Sequence, residues 1–177
     1  MENIQILDKS FKIYLTEKDI TNRVAELAHQ INVTHKGEEI VVVGILNGCF
    51  MFASDLFKQL DLQCRISFLK LASYQGTQST GKIRQLIGLN EDIKEKTVII
   101  LEDIIDTGIT MEHIINQLNA YNPSDIKIAT LLFKPEAFQK DFPIDYTGFE
   151  IPDKFIVGYG LDYNGLGRNL RQIYQIK

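Results

Sequence analysis

The run Val98-Ile-Ile-Leu-Glu-Asp-Ile-Ile-Asp-Thr-Gly-Ile-Thr110 holds the residues best suited to chemistry. An apolar stretch ends in two adjacent acids, Glu102 and Asp103. A short polar segment with Asp106, Thr107, Gly108 and Thr110 follows, and then a helical pattern. Carboxylates are acceptors, so Glu102 and Asp103 suit sugar hydroxyls, directly or through a metal ion. A loop that feeds a helix N-terminus presents free backbone N–H groups, which suit a phosphate. Gly108 lets the backbone come close, and the threonines add hydroxyl donors. An ordinary N-capped helix after a strand would look similar, because acids complement a helix N-terminus. From these residues alone the two readings are about even. No GxxxxGK[ST] occurs and no GxGxxG follows a strand, so binding of nucleoside triphosphates or dinucleotides loses support.

Other residues carry weaker indications. Lys134 precedes Pro135, which biases it to an extended strand end, where a lone lysine is usually exposed. Phe155 lies beside apolar Ile156-Val157, and such an aromatic is more often core. Asp162 and Arg168 would make an ordinary surface pair, worth little. Tyr74 has no packing reason to sit in a polar loop. His29, His35 and His113 are too scattered for a metal site and read as surface or helix residues. Gly165 and Gly167 read as turn residues.

The elements that must position these groups alternate between strand and helix. Thr16 with an acid three residues on is a helix start, and Ile20, Val24, Leu27, Ala28 and Ile31 then recur at helical spacing toward a stop near Gly37. Glu39 to Leu46 is a continuous apolar run, the pattern of a strand covered on both faces. Asn47-Gly48 breaks it, and Phe50 to Leu60 reads as helix. Cys64 to Leu71 reads as a half-exposed strand, and Ser73 to Lys82 as a mobile polar loop. Ile83 to Leu89 would be the return strand of a flap. Strands follow at Thr97–Leu101, Ile126–Phe133, Lys154–Tyr159 and Gln172–Gln175, with a helix over Met111–Leu118. This order predicts an α/β fold with a mostly parallel sheet flanked by helices.

Composition narrows the function classes. The 177 residues suit one domain, and 45% hydrophobic residues suffice for a core. A net charge of −4 argues against nucleic acid as a partner. Cys49 and Cys64 form no CxxC pair and read as buried free thiols of a reducing compartment. The N-terminus lacks the pattern of a signal peptide and no run is long enough to span a bilayer, so a cytoplasmic protein with no membrane partner is expected.

The run Leu-Glu-Asp-Ile-Ile-Asp-Thr-Gly resembles the motif with which type I phosphoribosyltransferases bind 5-phosphoribosyl-1-pyrophosphate (PRPP). The stretch Gly148-Phe-Glu-Ile-Pro-Asp-Lys-Phe-Ile-Val-Gly-Tyr-Gly-Leu-Asp-Tyr-Asn164 is similar to the purine-binding region of the hypoxanthine-guanine phosphoribosyltransferases. The order of parts matches from about Val41 to the C-terminus. The resemblance implies a single type I phosphoribosyltransferase domain over 1–177. It would have a flexible lid at about 73–82, a small hood, and a C-terminal purine-binding region at about 148–177. The implied activity is purine salvage, transferring the phosphoribosyl group of PRPP to hypoxanthine or guanine to give IMP or GMP and pyrophosphate.

The same resemblance implies roles for individual residues. Glu102 and Asp103 would hold the ribose hydroxyls and a magnesium ion. Asp106 would sit near purine N7 as general base or proton partner. Thr107, Gly108, Ile109 and Thr110 would cradle the 5′-phosphate. Lys134 would donate to the purine 6-oxo group, Phe155 would stack on the ring, and Ile156 would meet the base edge. Asp162 would bind a second magnesium, and Arg168 would reach pyrophosphate. Leu46, Asn47 and Gly48 would form the pyrophosphate loop, and Ser73 and Tyr74 would head the lid. The family commonly carries Leu-Lys-Gly-Gly in that loop; here Leu46-Asn47-Gly48-Cys49 lacks the positive charge and keeps the backbone donors. Partners would be PRPP and a 6-oxopurine, with assembly as a homodimer or homotetramer. A PRPP-binding regulator on the same fold, or a transferase for xanthine or adenine, are the competing readings.

Overall fold

The computed structural model describes residues 3–73 and 83–177. Its centre is a 6-stranded sheet in the order β5-β4-β3-β6-β7-β8. These strands are β3 (Glu39–Leu46), β4 (Gln63–Ser73), β5 (Ile83–Ile87), β6 (Thr97–Ile105), β7 (Asp125–Phe133) and β8 (Tyr146–Glu150). Every neighbouring pair is parallel except β4 with β5, which is antiparallel. The sheet is therefore mostly parallel, as the sequence pattern predicts.

Helices cover both faces, which is why residues 40–46 of β3 and 98–101 of β6 carry no polar side chain. Successive strand side chains point to opposite sides. Ile40 and Val42 of β3, with Ile99 and Leu101 of β6, pack under α1 (Glu17–Thr34) and α2 (Phe50–Phe57). Val41, Val43, Val98 and Ile100 face the other way, against Met111, Ile114 and Leu118 of α3 (Ile109–Asn119). The start of α1 is the capping box expected at Thr16, with Thr16 and Asp19 each satisfying the other's backbone N–H. The helix stops at Thr34 with His35 as its cap, two residues before the expected Gly37.

A second, 4-stranded antiparallel sheet in the order β1-β2-β10-β9 forms a small hood. It joins β1 (Asn3–Ile6) and β2 (Lys9–Leu15) to β9 (Ile156–Val157) and β10 (Ile173–Ile176). Phe11, Val157 and Tyr174 form its own apolar centre.

Several expectations are corrected. The strand read over Lys154–Tyr159 is only Ile156–Val157 and belongs to the hood. The sixth strand of the main sheet is β8, whose Thr-Gly centre carries little β pattern. Strand β6 runs to Ile105, so Glu102 and Asp103 lie within it. Helix α2 ends at Phe57 instead of Leu60. His35 is buried, 3% exposed, between Glu38 and Tyr146 and is not a surface residue. Cys49 is buried as expected, whereas Cys64 is half-buried; both are free thiols.

Candidate active site

The site lies beyond the carboxyl ends of β3, β6 and β7, the place where open α/β sheets bind ligands. Strand β6 pairs with β3 as far as Gly44↔Leu101 and with β7 as far as Ile105↔Phe133, so its last residues are held at fixed height. Glu102 and Asp103 occupy that stretch. Oε2 of Glu102 is buried without a hydrogen-bond partner. Burial, and then the neighbouring Asp103 charge, push the Glu102 carboxyl well above its ordinary range. Burial also raises Asp103, to about 6, against the pull of backbone hydrogen bonds and of the Arg168 charge.

The loop after β3 closes over Asp103. Its Leu46–Asn47 peptide is cis, and Asn47 is exposed. Gly48 sits directly on the Asp103 carboxylate. On the other side, Gly160 sits on the Gly48 carbonyl with φ +101°, so the loop is gripped between β6 and the C-terminal segment.

Past β6 the chain turns through Asp106 and Thr107 into α3. Gly108 stands at the N-cap with φ +81°, a left-handed conformation that favours glycine, and makes no side-chain cap. A cavity of about 110 Å³ opens here, lined by Glu102, Asp106, Thr107, Gly108 and Thr110 among others. Ile109, the first residue of α3, is exposed.

A second cavity of about 220 Å³ lies on the other side of Asp106. Its lining includes Asp103, Asp106, Lys134, Phe155, Asp162 and Arg168. Lys134 follows the last residue of β7, and its backbone N–H donates to the Ile105 carbonyl at 3.0 Å. It is 7% exposed, so the usual expectation of a solvated lysine fails. Its Nζ donates to Asp106 Oδ2 at 3.1 Å and to Asp153 Oδ1 at 2.7 Å. Burial alone would lower the Lys134 pKa, but its bonds to Asp153 and Asp106 and their charges outweigh that and raise it.

Phe155 is 43% exposed and is therefore not core. Its ring meets Tyr163 edge-on at 5.7 Å and leans on buried Phe11 at 6.2 Å. Ile156 is buried in β9 beside it. Asp162 and Arg168 are joined at 2.5 Å with side chains 29% exposed each, a half-buried pair in the cavity wall. Arg168 also donates to the Gly160 carbonyl at 2.7 Å, and Asp162 accepts from the Gly165 N–H at 2.6 Å.

Residues 10–164 match the family model of the phosphoribosyl transferase domain. The hypoxanthine-guanine phosphoribosyltransferase of Aquifex aeolicus is 42% identical over 175 residues, covering 98% of both chains. That of Staphylococcus aureus strain Mu50 is 42% identical over 167 residues, covering 94% of this chain and 93% of its own. A crystal structure of a hypoxanthine phosphoribosyltransferase from Staphylococcus aureus superposes with a TM-score of 0.88 at 42% identity, over 94% of this chain and 91% of that one. The chain belongs to the hypoxanthine-guanine phosphoribosyltransferase family.

For a phosphoribosyltransferase of this family the geometry brings most of the anticipated residues to one place. Glu102, Asp106, Thr107, Gly108 and Thr110 line the smaller cavity; Asp103, Asp106, Lys134, Phe155, Ile156, Asp162 and Arg168 line the larger. Gly48 adjoins Asp103. Tyr74 and the rest of the anticipated lid at 74–82 lie outside the described residues, and the side chain of Ser73 with them. Among the described residues no three acidic, histidine or cysteine side chains converge as a metal cage. Asp153 and Gly160 carry no role in the sequence reading. Asp153 could have been found as the remaining acid of the Pro152-Asp-Lys-Phe155 run, whereas nothing local marks Gly160 among the six glycines of positive φ in the described residues.

Proposed function

We propose that this phosphoribosyltransferase joins the C1′ of PRPP to hypoxanthine or guanine, releasing pyrophosphate and giving IMP or GMP. The observation that carries the reading is the 3.1 Å bond between Asp106, which lines both cavities, and Lys134, which lines only the larger. A group that must serve both the sugar phosphate and the base is expected at such a junction.

The phosphate of PRPP is assigned to the cradle at the α3 N-terminus, from Thr107 to Thr110, and the ribose hydroxyls to Glu102 and Asp103. The base is assigned to the larger cavity, stacked on the half-exposed Phe155. There the Lys134 ammonium faces its 6-oxo oxygen and Ile156 its edge. As C1′ parts from pyrophosphate the sugar becomes cationic and the leaving oxygens anionic. Arg168 stands ready to meet those oxygens, and the backbone of Leu46, Asn47 and Gly48 to bind them. The purine ring nitrogen bonds to C1′, and Asp106 takes the proton released near N7.

The acidic pair fits a hard divalent cation. Glu102 Oε2 has no partner, and burial holds both carboxyls above their ordinary range. Among the described residues no full ligand set converges, so Glu102 and Asp103 would hold magnesium together with oxygens of PRPP and water, and Asp162 is assigned a second ion. Magnesium so bound would draw charge off the departing diphosphate.

Among the described residues no helix is long and apolar enough to cross a membrane. Two free cysteines support a reducing, cytoplasmic setting. Assembly as a homodimer or homotetramer rests on family likeness alone.

The deciding experiment supplies PRPP and Mg²⁺ with hypoxanthine, guanine, xanthine and adenine in turn and follows nucleotide formation. Product from hypoxanthine or guanine, lost on chelation and restored by Mg²⁺, is expected. PRPP binding with no nucleotide from any base would instead indicate a regulator.

A further inference from the structure

We propose that Asp153 is a positioning residue for base recognition, sharing the Lys134 ammonium with Asp106 and aiming its remaining donor at the 6-oxo group. This inference rests on the reading of the larger cavity as the purine site.

An ammonium has three N–H donors and no acceptor. Two of those on Lys134 are taken, by Asp106 at 3.1 Å and by Asp153 at 2.7 Å. One remains for a ligand. The shorter bond goes to Asp153, so the ammonium is shared between two carboxylates and is not paired with Asp106 alone. A lysine paired with Asp106 alone would tie up the carboxylate that must accept a proton.

The place of Asp153 in the chain matters as much as its charge. It lies two residues before Phe155, in the segment that carries the stacking ring. Lys134, by contrast, comes from the end of β7. The Lys134–Asp153 bond therefore fixes the donor from one element against the stacking surface from another. Registry of this kind decides whether one hydrogen bond to a flat ring is well aimed.

The other charged groups around the cavity do not duplicate this contact. Asp106 comes from the turn before α3, Lys154 adjoins Asp153, and Asp103 adjoins the pyrophosphate loop. Asp162 and Arg168 are paired with each other. The Asp153 side chain is 60% exposed, so its removal leaves the core packing intact.

The test is steady-state kinetics of wild type, Asp153→Ala and Asp153→Asn with hypoxanthine, guanine and unsubstituted purine, which lacks the 6-oxo group. We expect Asp153→Ala to raise KM for both 6-oxopurines by about three- to tenfold, as for one aimed charged hydrogen bond with an exposed partner. Its effect on unsubstituted purine and on the KM for PRPP should stay within about twofold. Asp153→Asn keeps an acceptor oxygen and should recover most of the loss. An unchanged KM for hypoxanthine and guanine in Asp153→Ala, or an equal loss with unsubstituted purine, overturns the proposal. Wild type that forms no nucleotide from either 6-oxopurine would sink the parent reading instead.

Discussion

A Cβ built on Gly48 would lie 1.6 Å from Oδ2 of Asp103, so the loop after β3 can close on the β6 acid only through a glycine. A Cβ on Gly160 would in turn lie 1.9 Å from the Gly48 carbonyl oxygen. Acid, loop and C-terminal segment are stacked with no room between them.

Gly48→Ala should therefore move either the loop or Asp103. Overpacking of this kind costs about 1–3 kcal/mol. We expect a lower thermal midpoint together with a raised KM for PRPP, read by calorimetry and kinetics on the same preparation. A variant with both quantities at wild-type values would mean that the contact is not constraining.

Asp106→Asn tests the proton-handling role. The amide keeps the shape and can still accept from Lys134, but it cannot take a proton. General acid–base groups contribute about 10²–10⁴-fold, and kcat should fall by that order while KM for PRPP changes little. A full-speed variant would remove Asp106 from the role.

Much of this frame is legible in the sequence. The apolar runs of β3 and β6 predict burial on both faces, and the capping box at Thr16 predicts a helix start. The acids followed by Asp106, Thr107 and Gly108 mark the site by type and order. The failures have physical causes. Lys134 is buried because two carboxylates from distant elements reach it, and distance along the chain hides that. Phe155 is exposed because Phe11 of the hood fills the space beneath it. Strand β8 lacks β-branched alternation and is held by pairing with β7. The contact of Gly160 with Gly48 joins residues far apart in sequence, and no local pattern encodes it.

Asp103 gives a pH dependence whose sign differs from that of most carboxylates. Its folded value, about 6, lies above the ordinary 3.8. The folded protein therefore binds the proton more tightly than the unfolded chain. The stability this group contributes is complete below about 3.8 and is lost as pH rises through about 6. Glu102 shifts in the same direction. Asp103→Asn removes the buried charge, and the ligand-free variant should be more stable than wild type at pH 7 by on the order of 1–3 kcal/mol. The gain should shrink as the pH falls toward about 4. Denaturant unfolding at several pH values in the absence of Mg²⁺ measures it. A variant less stable than wild type at neutral pH would contradict the burial cost.

Lys134 should choose the base. Its ammonium can donate to the 6-oxo oxygen of hypoxanthine or guanine but has nothing to offer the amino group that adenine carries there. Donor would face donor in a partly dry pocket, and leaving such groups unpaired costs about 1–3 kcal/mol, more where one is charged. Phe155 cannot make this choice, since a ring face stacks on any purine. Sites built around one hydrogen bond reject analogues lacking the partner far more strongly than apolar pockets reject a missing methylene. Adenine should therefore be a very poor substrate, and Lys134→Ala should lower kcat/KM for hypoxanthine and guanine while changing adenine much less. Because the variant also strands Asp106 and Asp153 without their cation, part of its loss will fall on every base. The decisive quantity is the ratio of kcat/KM for hypoxanthine to that for adenine, in which such a common loss cancels. A ratio unchanged by Lys134→Ala, or a wild-type enzyme that prefers adenine, would show that selection lies elsewhere in the pocket.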